Sequence, residues 1–578
     1  MIQYTFAPIR YAITISLYYF SLCNSVVLRV SLCKFFLLHG GTQRNTENHR
    51  EKIYKYILYS LLNYTYYSRI IFFMKLLFIA LLIGFSFVAN AQYSTPGNGT
   101  TWNLESLAEH SEGVIVEIDG IYYQYDDVTI SPTDKFEQLI PFELRIAENI
   151  TLSTEDAEFI INTKTQSKIT AISKSETYRG ISFGENAKVS LNNCVFEYGG
   201  GIRVFRAEFS MNNCIVRNMD SKLASGGAIA ASGGDGIWSR IYVNNSHFVD
   251  NVAPALSSSI NIGTTFIVED CYFENNNTTN NNRPQINIGA TLENDVTIFR
   301  NNTIIGNRDN TMTGGIGIMY MGVARENQYL IDGNTIKDNR YGINFTGDYM
   351  NGTIVNNILE DNNTETNPMV GGSGINITNS ADNIYLYASN NIISGHHWGV
   401  TLYSYSATLG ATCNFGNITV AEDHPDYNPG KNIFSNNGFD GELYDFYNNS
   451  PTDVMAQNNQ WNVEVQDEES IEDVVTHKPD DESLGFVTFM PAFDSSCVGI
   501  DSHFAGMIKV YPVPASTQVY VEGDNITKVE LYNIAGRKLS ETNGFAGLID
   551  VSGYDAGIYF LKIYDLRGKS ITKQIVVK

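Results

Sequence analysis

The chain has 578 residues, 43% of them hydrophobic and 17% charged, enough for several ordinary domains or for one elongated repeat domain with appendages. Without its first 91 residues, which hold 9 Lys+Arg and 2 Asp+Glu, it keeps 29 basic and 60 acidic side chains, a net charge of −31. A surface this acidic repels phosphate backbones and anionic lipid, which argues against nucleic acid and polyanionic polysaccharides as long-range partners and leaves neutral glycans and weak divalent-cation binding open.

Residues 1–73 are rich in Tyr, Ile, Leu and Phe without a regular pattern. They read either as a membrane segment or as an extension upstream of the true start. The second reading is favoured because Met74 opens a compact export signal: Lys75 supplies the positive region, "LLFIALLIGFSFV" the apolar stretch, and Ala89-Asn90-Ala91 the cleavage site. The expected signal peptide is 74–91 and the mature chain begins at Gln92, with no transmembrane helix. Five cysteines then remain, Cys194, Cys214, Cys271, Cys413 and Cys497, an odd number with no C-x-x-C pair, so neither a disulfide framework nor a zinc site is expected.

Residues 92–139 are expected to cap a solenoid. In "WNLESLAEHSEG", Leu104, Leu107 and Ala108 share one helical face, with Asn103 as N-cap and Gly113 as stop. Such a helix hides an open sheet edge and the apolar bore behind it.

From Cys194 to Trp461 one motif, N-x-apolar-x-x-N, recurs. Its anchors are Asn193, Asn213, Asn245, Asp270, Asn302, Asn334, Asn357, Asn391, Asn432 and Asn459, spaced by 20 to 41 residues with a mean of about 30, as in solenoid repeats. A second beat, including "SSSINIG", "PQINIGA", "YGINFTG" and "GSGINIT", alternates Ile or Val with small or polar residues between Gly and Asn, which predicts short strands rather than helices. Each repeat offers two or three strands and no room for a helix, so stacked coils must bury a common interior. The anchoring asparagines are expected to take left-handed corner geometry and to bond amide to amide from coil to coil, rather than to line a glycan or calcium site. Cys194, Cys214 and Cys271 directly follow anchors, as Ser246, Thr303 and Thr335 do elsewhere, and are expected to form a reduced stack at that position.

This repeat region, 140–495, resembles the right-handed parallel β-helix repeat family, the pectate-lyase-like fold. The exit, with Trp461, a short polar helix around Ile471 to Val475, Asp480 and Asp481, and a strand ending at Pro491, resembles the closing segment of such proteins. After a linker, 496–506, residues 507–578 change to alternating strands with Gly and Asn turns, a small antiparallel β-sandwich. Tyr511-Pro512-x-Pro514, "LYNIAGRKL" with Gly536, "AGIYFLKI" with Gly557, and "KQIVVK" ending at Lys578 resemble the type A sorting domain of the type IX secretion system. Val513 stands where that family often carries Asn. The resemblance implies the type IX machinery as a partner and a final location outside the cell or on the outer-membrane surface of a Gram-negative bacterium.

Two groups compete as functional sites. In "SGHHWGVTLYSYS", His396, His397, Trp398, Tyr403 and Tyr405 cluster where the longest insertion between anchors begins, and aromatic rings there would stack on a polysaccharide ligand. Arg325, Asp332, Asp338, Arg340 and Asp348 fall in neighbouring coils and form the alternative, catalytic group of a polysaccharide lyase or glycoside hydrolase. The leading expectation is a non-catalytic binding or structural module without a cofactor, Ca2+ being implied only for a lyase.

Overall fold

In the computed structural model the described residues are Lys55, 92–493 and 508–578, apart from 225, 233–238, 262, 323–324, 524–525, 534–536, 544–546 and 566–569. The upstream extension (save Lys55), the signal peptide, the linker, Cys497 and Gly536 lie outside them. No helix among the described residues is long and apolar enough to cross a membrane.

The repeat builds three parallel sheets, wound in the right-handed sense of parallel crossovers. The coil around "FRNNTIIGN" serves as the pattern. Val296–Arg300 lies in the second sheet, Thr303–Ile305 in the third and Ile316–Tyr320 in the first, and each pairs in register with its equivalents one coil away. The first sheet runs through 14 strands. Strands of three to six residues suffice because each side chain that points inward meets the same position of the next coil. Ile304 packs between Phe273 and Ile336, all fully buried. Aromatic stacks extend the interior, Phe136 on Phe159 at 4.5 Å and Phe248 on Phe273 at 4.9 Å.

Helix α1, Leu104–His110, is capped by Asn103, whose side chain accepts from the Ser106 amide while Ser106 returns the bond, and it buries Leu104 and Leu107. Parallel pairing nevertheless begins earlier than residue 140: Tyr93–Ser94 pairs with Val128–Ile130 and Thr101–Trp102 with Lys135–Gln138. The N-terminal segment is thus continuous with the sheets as well as capping them. At the exit Trp461 stacks on Phe434 at 4.9 Å, and α2, Glu468–Glu472, precedes the last strand, Val487–Thr488.

The corner chemistry divides between two adjacent residues. Asn301, Asn356, Asn390 and Asn458 take the positive φ, with Gly333 and Lys431 in the same role. The residue after each is buried and builds the ladder. Asn302 donates Nδ2 to Asn334 Oδ1 at 2.9 Å, Asn334 to Asn357 at 3.0 Å, Asn357 to Asn391 at 3.0 Å, Asn391 to Asn432 at 2.9 Å and Asn432 to Asn459 at 3.0 Å. In the earlier coils Asn193, Asn213, Asn245 and Asp270 are the positive-φ residues, so the ten expected anchors are not one position. Cys194, Cys214, Ser246 and Cys271 occupy the ladder position itself; Cys271 donates its amide to Asn302 Oδ1 at 3.0 Å. The expected equivalence of these cysteines with Thr303 and Thr335 is off by one residue, because Tyr272 is the partner of Thr303. Cys194, Cys214, Cys271 and Cys413 are free and buried, and burial raises their thiol pKa values.

The C-terminal domain has its own core of Val519, Val521, Val529, Leu531, Leu561, Ile563 and Ile575. Three antiparallel strands, Lys509–Tyr511, Gln518–Glu522 and Leu548–Asp550, accompany four more, Ile526–Asn533, Lys538–Asn543, Gly557–Asp565 and Ser570–Val577. Tyr511 stacks on Tyr520 at 5.6 Å, Pro512 and Pro514 follow it in the turn to the next strand, Gly557 opens the longest strand, and the Lys578 amide donates to the Ala515 carbonyl at 2.7 Å.

Candidate functional site

A second ladder runs along the corner between the third and first sheets, and it removes one residue from the expected ligand cluster. Asn339 Nδ2 bonds Asn362 Oδ1 at 3.1 Å. The Asn362 amide donates to His396 Nδ1 at 3.2 Å, and the His396 amide to Asn437 Oδ1 at 3.1 Å. Asn362 Nδ2 donates to the Ile336 carbonyl and Asn437 Nδ2 to the Ile393 carbonyl, while His396 Nε2 lies 3.1 Å from the Leu359 carbonyl. The imidazole therefore imitates an asparagine, with Nδ1 accepting and Nε2–H donating. It is 1% exposed and offers no face to an external ligand. The ladder ends on Asp445, which accepts from Asn437 Nδ2 at 3.0 Å and from the Asn462 amide at 2.7 Å. Burial raises its carboxyl to about 7.

Burial lowers the His396 pKa to about 3 from 6.5. The unfolded chain therefore binds the extra proton first, and this contribution to stability is complete above about 6.5 and is lost progressively as pH falls towards 3. His396→Asn, which installs the residue used in neighbouring coils, should keep neutral-pH stability within about 1 kcal/mol and shift the acid limb of a stability–pH profile to lower pH. An unchanged acid limb would contradict the assignment.

His397 and Trp398 are half-buried and have other duties. His397 Nε2 lies 2.9 Å from the Glu365 carbonyl, and Trp398 Nε1 donates to the Pro368 carbonyl at 2.9 Å. The indole also stacks on Tyr447 at 5.1 Å and meets Phe439 at 4.9 Å and Tyr444 at 4.7 Å. These contacts hold the 365–368 segment against the solenoid, so Trp398→Ala tests packing before it tests ligand contact. Tyr403 and Tyr405 are different: they are 38% and 72% exposed and form an edge-to-face pair with centroids 5.0 Å apart.

Tyr403 belongs to the outer face of the first sheet, which the inward Ile343, Ile375 and Val400 set by alternation. One outward column reads Asn344, Asn376, Thr401 and Tyr447, and the next Met319, Thr346, Thr378, Tyr403 and Asn449. Asn376 Nδ2 joins the two, bonding Asn344 Oδ1 and, at 3.1 Å, Thr378 Oγ1.

The alternative catalytic group is dispersed. Asp332 ends a second-sheet strand and pairs with Arg300 at 3.3 Å; Asp338 follows a third-sheet strand and pairs with Arg308 at 2.9 Å. Asp348 follows the first-sheet strand and accepts from Ser380 Oγ at 3.0 Å. Arg340 is 9% exposed and bonds the Val370 carbonyl and Asn282, and Arg325 bonds the Thr291 carbonyl. Three carboxylates at three corners do not face one bond. Among the described residues no three His, Cys, Asp or Glu side chains converge as metal ligands.

Sequence reasoning missed a concavity of about 560 Å³ further along the same outer face, between Arg203, Ser232, Ser257, Arg283 and Asn287. Its residues come from separate coils; Ser257 and Asn287 belong to the second beat, but Arg203 and Arg283 stand outside every motif.

Residues 509–578 match the secretion system C-terminal sorting domain family. No curated protein matches the chain. Among solved structures, the chain is similar to the periplasmic alginate epimerase AlgG, at 12% identity over 68% of this chain and 83% of that one, with a TM-score of 0.38. It is also similar to the tailspike protein of E. coli bacteriophage HK620, solved with a pentasaccharide, at 9% identity over 80% and 85%, with a TM-score of 0.35. The chain is thus a parallel β-helix protein carrying a sorting domain, which places it outside the cell or on its surface and makes the secretion machinery a partner.

Proposed function

We propose that the exported solenoid is a non-catalytic glycan-binding and structural module that lays a saccharide along the outer face of its first sheet. The observation that carries this is the exposed Tyr403–Tyr405 pair at the end of the Asn344, Asn376, Thr346 and Thr378 array. Aromatic faces take the C–H faces of a sugar, and amides and hydroxyls take its hydroxyl groups, at a coil spacing of about 4.8 Å. The Asn and Thr columns and Tyr403 are fixed by the sheet, so little ordering entropy is lost there on binding. A lyase or hydrolase on this groove would need an acid and a base facing one glycosidic bond. The three aspartates at separate corners do not supply that, which favours binding over turnover.

The test is a glycan array with the mature chain, followed by assay of its strongest binders for released reducing ends or unsaturated products, with and without Ca2+. Binding without product is expected. Tyr403→Ala with Tyr405→Ala should weaken it at least tenfold, since each lost stack is worth on the order of 1 kcal/mol. Product formation, or unaltered binding by the double variant, would overturn the reading.

A further inference from the structure

We infer that the concavity around Arg203 and Arg283 is an oxyanion site, binding a sugar through its carboxylate or sulfate group. It stands whether or not the tyrosine pair binds glycan. The floor is the outward column Ala230, Ser257 and Asn287, three small or medium side chains in register on adjacent strands. Beside it Gly226 leaves room that a Cβ would take from Ser257 Oγ, only 2.7 Å from that position. Among the described residues, none of those lining the concavity of about 560 Å³ is Asp or Glu, in a chain whose net charge after residue 91 is −31.

Arg145, Arg206, Arg217, Arg240, Arg300 and Arg308 sit in ion pairs with carboxylates. Among the described residues, Arg203 and Arg283 have none, a state they share with Arg179, Arg325, Arg340 and Arg537; what sets the two apart is that both line this concavity. Arg203 is held in place without being neutralised: its Nε donates to Ser232 Oγ at 3.1 Å and its guanidinium lies 5.2 Å from the centre of the Phe205 ring. Its terminal nitrogens remain for a ligand. Arg283 is exposed and lines the same concavity, in the segment that leads into Ile286–Ile288, three strand steps from Arg203. Guanidinium forks at the two ends of a floor of hydroxyl and amide groups suit an oxyanion on a hydroxylated ring at either end. The volume suits one or two sugar units. The acidic surroundings repel a long polyanion, so the charge recognised is local, and the rest of the ligand carries little.

The experiment compares three probes of equal length by titration calorimetry at low and moderate salt: a neutral glucan oligosaccharide bearing one terminal glucuronate, its carboxyl-reduced neutral form, and the same neutral oligosaccharide bearing one sulfate. The mature chain should bind at least one anionic probe tenfold or more tightly than the neutral one, with affinity falling as salt rises. The better anionic probe identifies the group. Arg283→Ala, an exposed position, and Arg203→Ala should each lose tenfold or more for that probe, while Arg308→Ala should not. Equal binding of charged and neutral probes, no binding of either anionic probe, or unchanged affinity in folded Arg203→Ala and Arg283→Ala proteins would overturn the assignment. Loss in these variants with retention in the tyrosine double variant would separate this site from the tyrosine surface.

Discussion

Asn357→Ala should destabilise the solenoid by roughly 3–5 kcal/mol, read as a large fall in the denaturation midpoint. Asn357 Oδ1 accepts both the amide and Nδ2 of Asn334, and its own Nδ2 donates to the Ile331 and Val355 carbonyls. Truncation strands these groups in a site with no exposure, and each orphan costs about 1–3 kcal/mol. The neighbour gives the contrast. Asn356 has φ 59° and an exposed side chain bonded to Asp332, and the equivalent position one coil earlier is Gly333 with φ 68°. Asn356→Gly should therefore change stability by only a few tenths of a kcal/mol. Equal effects at 356 and 357 would contradict the division of labour between corner and ladder.

Removal of residues 509–578 should abolish delivery outside the outer membrane and leave folded solenoid in the periplasm, detected by fractionation and surface proteolysis. Among the described residues, the solenoid core, from Trp102 to Phe489, shares no buried residue with the core of the sorting domain. Loss of the latter removes the address without removing the cargo's fold. Normal surface levels of the truncated chain would contradict the assignment of the match at 509–578.

The fold was legible because a solenoid repeats its physics. Ile304, Ile336, Leu359 and Ile393 fall at one offset from each asparagine and are all fully buried, so the interior could be predicted from spacing alone. The two-residue corner was harder to see, since Asn301 and Asn302 are the same residue type with opposite roles: one tolerates positive φ, the other is buried and bonded. Choosing the wrong member of the pair in the early coils displaced the cysteines by one position. The second ladder was not legible, because His396 and Gln285 stand in it beside asparagines. Gln285 Nε2 reaches Asn339 Oδ1 at 2.9 Å from a different point of its coil. Adjacent histidines near aromatic residues suggest chemistry, and only the coil-to-coil bonds reveal that one is structural. The exposure of Tyr403 and Tyr405 was legible because they follow the inward beat of Val400 and Leu402. That Arg203 and Arg283 line one concavity was not legible, since it depends on three coil-to-coil steps.

In the proposed division of roles the repeat is scaffold and recognition belongs to the outer face of the first sheet. Hydrogen–deuterium exchange of residues 92–578, with and without the strongest array binder, separates this division from its alternatives. Ligand-dependent protection is predicted in the first sheet, along 343–347, 373–379 and 398–405, with the second- and third-sheet strands unchanged. Protection concentrated on those other sheets, with the first sheet unaffected, would contradict it.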